Sequence, residues 1–144
     1  MIHFRKPPPW LKTNTPHPGP KPRARGRVLP GHQRGKMNEA EAAYGDLLAA
    51  QKLAGEIADY WFEAVTLTIA DPPTAKVTRW TPDFMVLDRF GYVCFVDVKG
   101  TRPRDEQAEQ VKIKAAAERY PHFRFVIARQ RRKCDGGGFV IEKV

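Results

Sequence analysis

The chain has 144 residues and a formal net charge of +9, from 25 Lys or Arg and 16 Asp or Glu, enough for one small domain and an appendage. It has no run of 18 apolar residues and no hydrophobic secretory core near its N-terminus, so neither a membrane span nor a secretory leader is expected. Its two cysteines, Cys94 and Cys134, match no CxxC metal spacing and suit a reducing cytoplasm.

The charge is unevenly placed. Residues 1–36 hold nine Lys or Arg and no Asp or Glu, together with eight of the 13 prolines. Such a segment buries too little apolar surface to offset the entropy of ordering, so residues 1–36 are expected to form a disordered basic tail. Its charge suits a polyanion, most simply nucleic acid. Its arginines and lack of acids resemble a transit peptide, but its prolines forbid the amphipathic helix that such a peptide needs. Residues 37–144 carry 16 basic and 16 acidic side chains and are expected to fold as the domain.

Asn38 followed by Glu41 forms a capping-box pattern, and Tyr44, Leu47 and Leu48 give the helix behind it an apolar stripe that ends at Gly55. Residues 59–69 alternate, with Trp61, Val65, Leu67 and Ile69 on one side, and read as one strand ended by Asp71-Pro72-Pro73. A second strand covers residues 81–87, with Pro82 confined to its beginning. Asp88-Arg89-Phe90-Gly91 is a hairpin turn into a strand over residues 92–99. A basic loop, a helix from about Asp105 to Tyr120, a strand over 123–128, a glycine turn at 135–138 and a last strand over 139–144 complete the order α-β-β-β-α-β-β. This is an α/β domain with a mixed central sheet flanked by helices. The second helix has two apolar stripes, one of Ala108, Val111 and Ala115 and one of Ile113, Ala116, Ala117 and Tyr120. Two stripes place it between layers or beneath a partner subunit.

The 92–99 strand carries the chemistry. Tyr92, Cys94, Val96 and Val98 make one face apolar; the other runs Val93, Phe95, Asp97, Lys99. Charge at the C-terminal end alone suggests a strand buried on both faces whose end emerges into a cleft. With Asp83 just upstream in Trp80-Thr81-Pro82-Asp83-Phe84, the set is the outline of a metal-dependent nuclease centre. Two carboxylates suit Mg²⁺, a hard cation that prefers carboxylate and water oxygens, and a lysine beside them adds compact positive charge at a phosphate.

Glu41 on the first helix, then Pro82-Asp83, then Asp97-Val98-Lys99, resembles the PD-(D/E)xK nuclease superfamily, and residues 80–121 are similar to phage-type junction-resolving endonucleases. The resemblance covers residues 38–130 and leaves the tail outside. The nearer members of that superfamily tend to carry Glu where this chain has Asp97, which alters geometry without removing a ligand. The resemblance implies a restriction-endonuclease-like αβββαβ core. It implies Asp83 and Asp97 as Mg²⁺ ligands, with Mn²⁺ as a substitute, Lys99 as the group that orients water and stabilises charge, and Glu41 as a further ligand, direct or through water. The expected activity is structure-selective DNA cleavage by a cytoplasmic homodimer of phage or prophage origin. A non-catalytic nucleic-acid-binding protein on the same fold, and a restriction-like nuclease on linear duplex, are the rival expectations.

Cations near the motif are the candidate DNA contacts: Arg102, Arg104, Lys112 and Lys114 after the site, and Arg129, Arg131, Arg132 and Lys133 at the end of the 123–128 strand. Glu63 alternates with apolar residues and reads either as an acid supporting the site or as a charge at a strand edge.

Overall fold

The computed structural model describes residues 34–73, 75–102 and 106–144. Most of the expected tail, with Arg104 and the expected helix start at Asp105, lies outside them.

Helix α1 (Glu39–Leu53) is followed by strands β1 (Ile57–Phe62), β2 (Leu67–Ala70), β3 (Thr78–Trp80), β4 (Phe84–Asp88) and β5 (Val93–Lys99). Helix α2 (Glu106–Arg119) then leads to β6 (Arg124–Gln130) and β7 (Phe139–Lys143). One mixed sheet has the order β1-β4-β5-β6-β7, with β5 and β6 parallel and its other neighbours antiparallel. β2 and β3 pair as a separate antiparallel ribbon. The mixed α/β sheet with two helices is as the sequence suggests.

Both faces of the sheet are covered. Tyr44 and Leu48 of α1 pack on Phe84, Val86, Val96 and Val98. Ile113 and Ala116 of α2, with Ile69 and Trp80 of the ribbon, pack on Phe95, Phe125 and Ile127. The alternating residues of β5 therefore point into two separate cores, as its sequence predicts. Tyr92 departs from that pattern: it precedes the strand, is exposed, and lies beneath the Arg124 guanidinium.

The hairpin sets the register. Asp88 Oδ1 accepts hydrogen bonds from the N–H groups of Phe90 (2.8 Å) and Tyr92 (2.9 Å), and Gly91 takes a left-handed φ of 88°. Phe84 consequently lies opposite Val96, and one further step along the strands brings Asp83 beside Asp97. A slip of one residue between β4 and β5 would put Asp83 on the opposite face of the sheet from Asp97.

Two expectations require correction. Residues 59–69 are not one strand. Glu63 adopts φ 44°, the only positive φ at a non-glycine among the described residues, and its N–H bonds the Asp83 carbonyl at 2.8 Å. The chain turns there, so β1 stays in the main sheet and β2 crosses to pair with β3, a strand the sequence reading lacked. The strand expected over 81–87 begins only at Phe84, because Pro82 has no N–H for a ladder.

The two stripes of α2 also separate. Ile113 and Ala116 are buried and Tyr120 donates its hydroxyl to the Thr68 carbonyl at 2.9 Å, whereas Val111 is 65 % exposed. Ile113→Ala is therefore expected to cost about 2–5 kcal/mol and Val111→Ala less than about 0.5 kcal/mol, read from urea unfolding midpoints. Equal losses would mean that a partner subunit covers the Val111 side.

Candidate active site

Asp83, Asp97 and Lys99 come together where β5 ends and β4 begins. Beyond the Phe84–Val96 pair the ladder stops, and the Asp83 side chain takes its place: Oδ2 accepts the Val98 N–H at 2.6 Å. Asp97 is only 7 % exposed, and its Oδ2 lies 2.8 Å from the Lys99 ammonium. Lys99 also pairs with Glu109, which reaches across from α2.

Glu41 enters from the first turn of α1. The capping box forms as its sequence predicts: Glu41 N–H donates to Asn38 Oδ1 at 3.0 Å, and Glu41 Oε2 accepts the Asn38 N–H at 2.8 Å. Glu41 Oε1 also accepts from Asn38 Nδ2 at 2.6 Å. Cap and site do not exclude each other, because each carboxylate oxygen has a second lone pair and Glu41 lines the same cleft as Asp83 and Asp97. Helix α1 thus places a 4 %-exposed carboxylate at the site for reasons of its own termination.

Charge is tight here. Burial, then the neighbouring Asp97 carboxylate, raise the Asp83 pKa from 3.8 to about 7; Glu41 adds to the rise, and the Val98 N–H and Lys99 oppose it. For Lys99, burial favours the neutral amine, but hydrogen bonds to Asp97 and Glu109 outweigh it and raise the pKa above the usual lysine value.

The residues surround an open cleft of about 1110 Å³. Its carboxylates are Glu39, Glu41, Glu63, Asp83, Asp97 and Glu109; its cations are Arg34, Arg79, Lys99, Arg102 and Lys112. Of the expected DNA contacts, Arg102 and Lys112 border the cleft, while Lys114 is exposed elsewhere on α2. Arg129 stands in register with Lys99 on β6, and its Nε donates to Glu142 at 3.2 Å. Arg131, Arg132 and Lys133 are exposed just past the end of β6. The sequence reading missed Arg34, Arg79 and Glu109. Glu63 lines the cleft as well, and its Oε2 accepts the Gly35 N–H at 2.7 Å.

Among the described residues, no group of three or more His, Cys, Asp and Glu side chains is arranged as a ready cage for a metal ion. Mg²⁺ needs no such cage, since it keeps several waters and uses one or two carboxylates. Asp83 and Asp97 offer two adjacent hard donors, and the raised Asp83 pKa follows first from burial and then from the neighbouring Asp97 carboxylate. The donor set fits a hard dication.

None of the protein-family models, curated proteins or solved structures compared with the chain matches it.

The Asp83 pKa has a consequence for stability. A carboxyl that binds its proton more tightly when folded costs nothing below its unfolded pKa and costs progressively more as pH rises through the folded value. From 3.8 to about 7, that cost amounts to roughly 4 kcal/mol at alkaline pH. In metal-free buffer, Asp83→Asn keeps an acceptor for Val98 and removes the charge, so its stability relative to wild type is expected to increase between pH 4 and pH 8. Denaturant unfolding across this range checks it; a difference independent of pH would refute it.

Proposed function

We propose that the protein is a Mg²⁺-dependent endonuclease that hydrolyses DNA phosphodiester bonds, with Mn²⁺ as an alternative ion. The observation that carries this reading is the convergence of Asp83, Asp97 and Lys99, from a strand start and a strand end, in one cleft. The resemblance of residues 80–121 to phage-type junction-resolving endonucleases points the same way. The order α1, β1, β4, β5, α2, β6, with the β2–β3 ribbon between β1 and β4 and β7 at the sheet edge, supports reading the domain as a restriction-endonuclease-like αβββαβ core.

Asp83 and Asp97 would hold the cation, with Glu41 acting directly or through water. When bound, the ion lowers the pKa of a coordinated water and polarises a phosphate oxygen. Every other role belongs to the chain. The Lys99 ammonium stands beside Asp97, where it orients the attacking water and offsets charge as the phosphate becomes pentacovalent. Arg34, Arg79, Arg102 and Lys112 make no ion pair among the described residues and lie around the acidic floor, a distribution that suits phosphates on either side of the scissile one. The basic segment upstream of Gly35 adds non-specific attraction for the same polyanion.

Selection for branched DNA, action as a homodimer, phage or prophage origin and a cytoplasmic setting complete the proposal. A junction requires two symmetric cuts, which a twofold dimer supplies. Among the described residues, no helix is long and apolar enough to cross a membrane.

Labelled four-way junction, linear duplex and single strand, each with Mg²⁺, Ca²⁺ or EDTA, test the reading. Cleavage of the junction is expected with Mg²⁺ and absent with Ca²⁺ or EDTA. Lys99→Ala is expected to lose about 10²-fold or more in rate while junction binding persists, because the lysine acts mainly on the charged transition state. Cleavage in excess EDTA, or undiminished cleavage by Lys99→Ala, would overturn it.

A further inference from the structure

The buried side of α2 has an unexpected member. Ile113, Ala116 and Tyr120 form its inward stripe, fixed against the β2–β3 ribbon and the main sheet. Four residues before Ile113, the same helical row continues to Glu109, where the pattern calls for an apolar side chain. Glu109 does not turn away from the cleft; it pairs with the Lys99 ammonium.

Stability does not explain this contact. The Glu109 side chain is 55 % exposed, and ion pairs of that exposure contribute little. Geometry does. Lys99 is held on two sides, by Asp97 of its own strand at 2.8 Å and by Glu109 of a different element. Asp97 cannot serve fully as a partner for the ammonium and as a ligand for a dication, since both draw on the same carboxylate. With Asp97 committed to an ion, a four-carbon lysine stem would be free to swing out of the cleft.

We propose that Glu109 is a positioning residue that keeps the Lys99 ammonium at the reaction centre when Asp97 is engaged by a divalent cation. The proposal rests on the nuclease reading. It assigns α2 a part in the site through a residue that touches neither the metal nor the phosphate.

The test follows the Lys99 ammonium directly. Protein labelled with ¹⁵N at lysine gives a slowly exchanging Nζ–H resonance only where the ammonium is immobilised. In wild type, the Lys99 resonance, assigned with Lys99→Arg, is expected both without metal and with saturating Mg²⁺. In Glu109→Ala it is expected without metal, where Asp97 still holds the lysine, and lost with Mg²⁺. The same variant is expected to cleave with kcat reduced roughly tenfold and KM for DNA within about twofold, since a misplaced group costs rate more than binding. Glu109→Asp, which retains the charge, is expected to recover part of the rate. A thermal midpoint equal to wild type identifies the loss as one of position. A Glu109→Ala protein that cleaves normally and keeps its resonance with Mg²⁺ would overturn the role of Glu109 and leave the nuclease reading intact. A wild type that neither cleaves nor responds to Mg²⁺ would overturn both.

Discussion

One hydrogen bond joins the fold to its chemistry: the Val98 N–H to Asp83 Oδ2, at 2.6 Å. It forms where the β4–β5 ladder has run out, because Pro82 can give no donor and β4 begins only at Phe84. A buried backbone N–H left there would be costly. The Asp83 carboxylate satisfies it and is thereby fixed beside Asp97. Glu63, forced into a left-handed conformation, secures the Asp83 backbone from the other side through its own N–H. Strain of this kind persists only where the surroundings over-determine it, and it collects at working sites.

That arrangement places like charges together under cover. Asp83, Asp97 and Glu41 share one region with the ammonium of Lys99, and the proton that Asp83 retains up to about pH 7 follows from burial and from its neighbours. A domain needing only stability would gain by replacing such a group with an apolar side chain. Arg34, Arg79, Arg102 and Lys112, which make no ion pair among the described residues, border the same cleft and in the proposed function would draw phosphates toward a floor that otherwise repels them.

Local features were legible in the sequence. The capping box, the Asp88–Gly91 turn and the two-faced burial of β5 depend on residues close in the chain; the cap and the turn stand as read, and β5 does so from Val93 onward, with Tyr92 exposed ahead of it. From the turn and the alternation of β5, the meeting of Asp83 with Asp97 followed by counting. The break at Glu63 was not legible, because a glutamate gives no signal for a left-handed residue and the apolar alternation continues through it. The cations Arg34 and Arg79 and the carboxylate of Glu109 reach the cleft through packing between layers, which no local pattern encodes. The choice between the stripes of α2 likewise depended on the ribbon, whose second strand is three residues long and carried no strand pattern of its own.

The central claim is that the buried carboxylate pair is completed by a divalent cation, and calorimetric titration of Mg²⁺ into the full-length protein at pH 8 measures this most directly. The account predicts saturable binding with release of few protons at that pH, more proton release at pH 6 where Asp83 is largely protonated, and loss of binding in Asp83→Asn. Absence of saturable binding by wild type, or equal binding by Asp83→Asn, would contradict it.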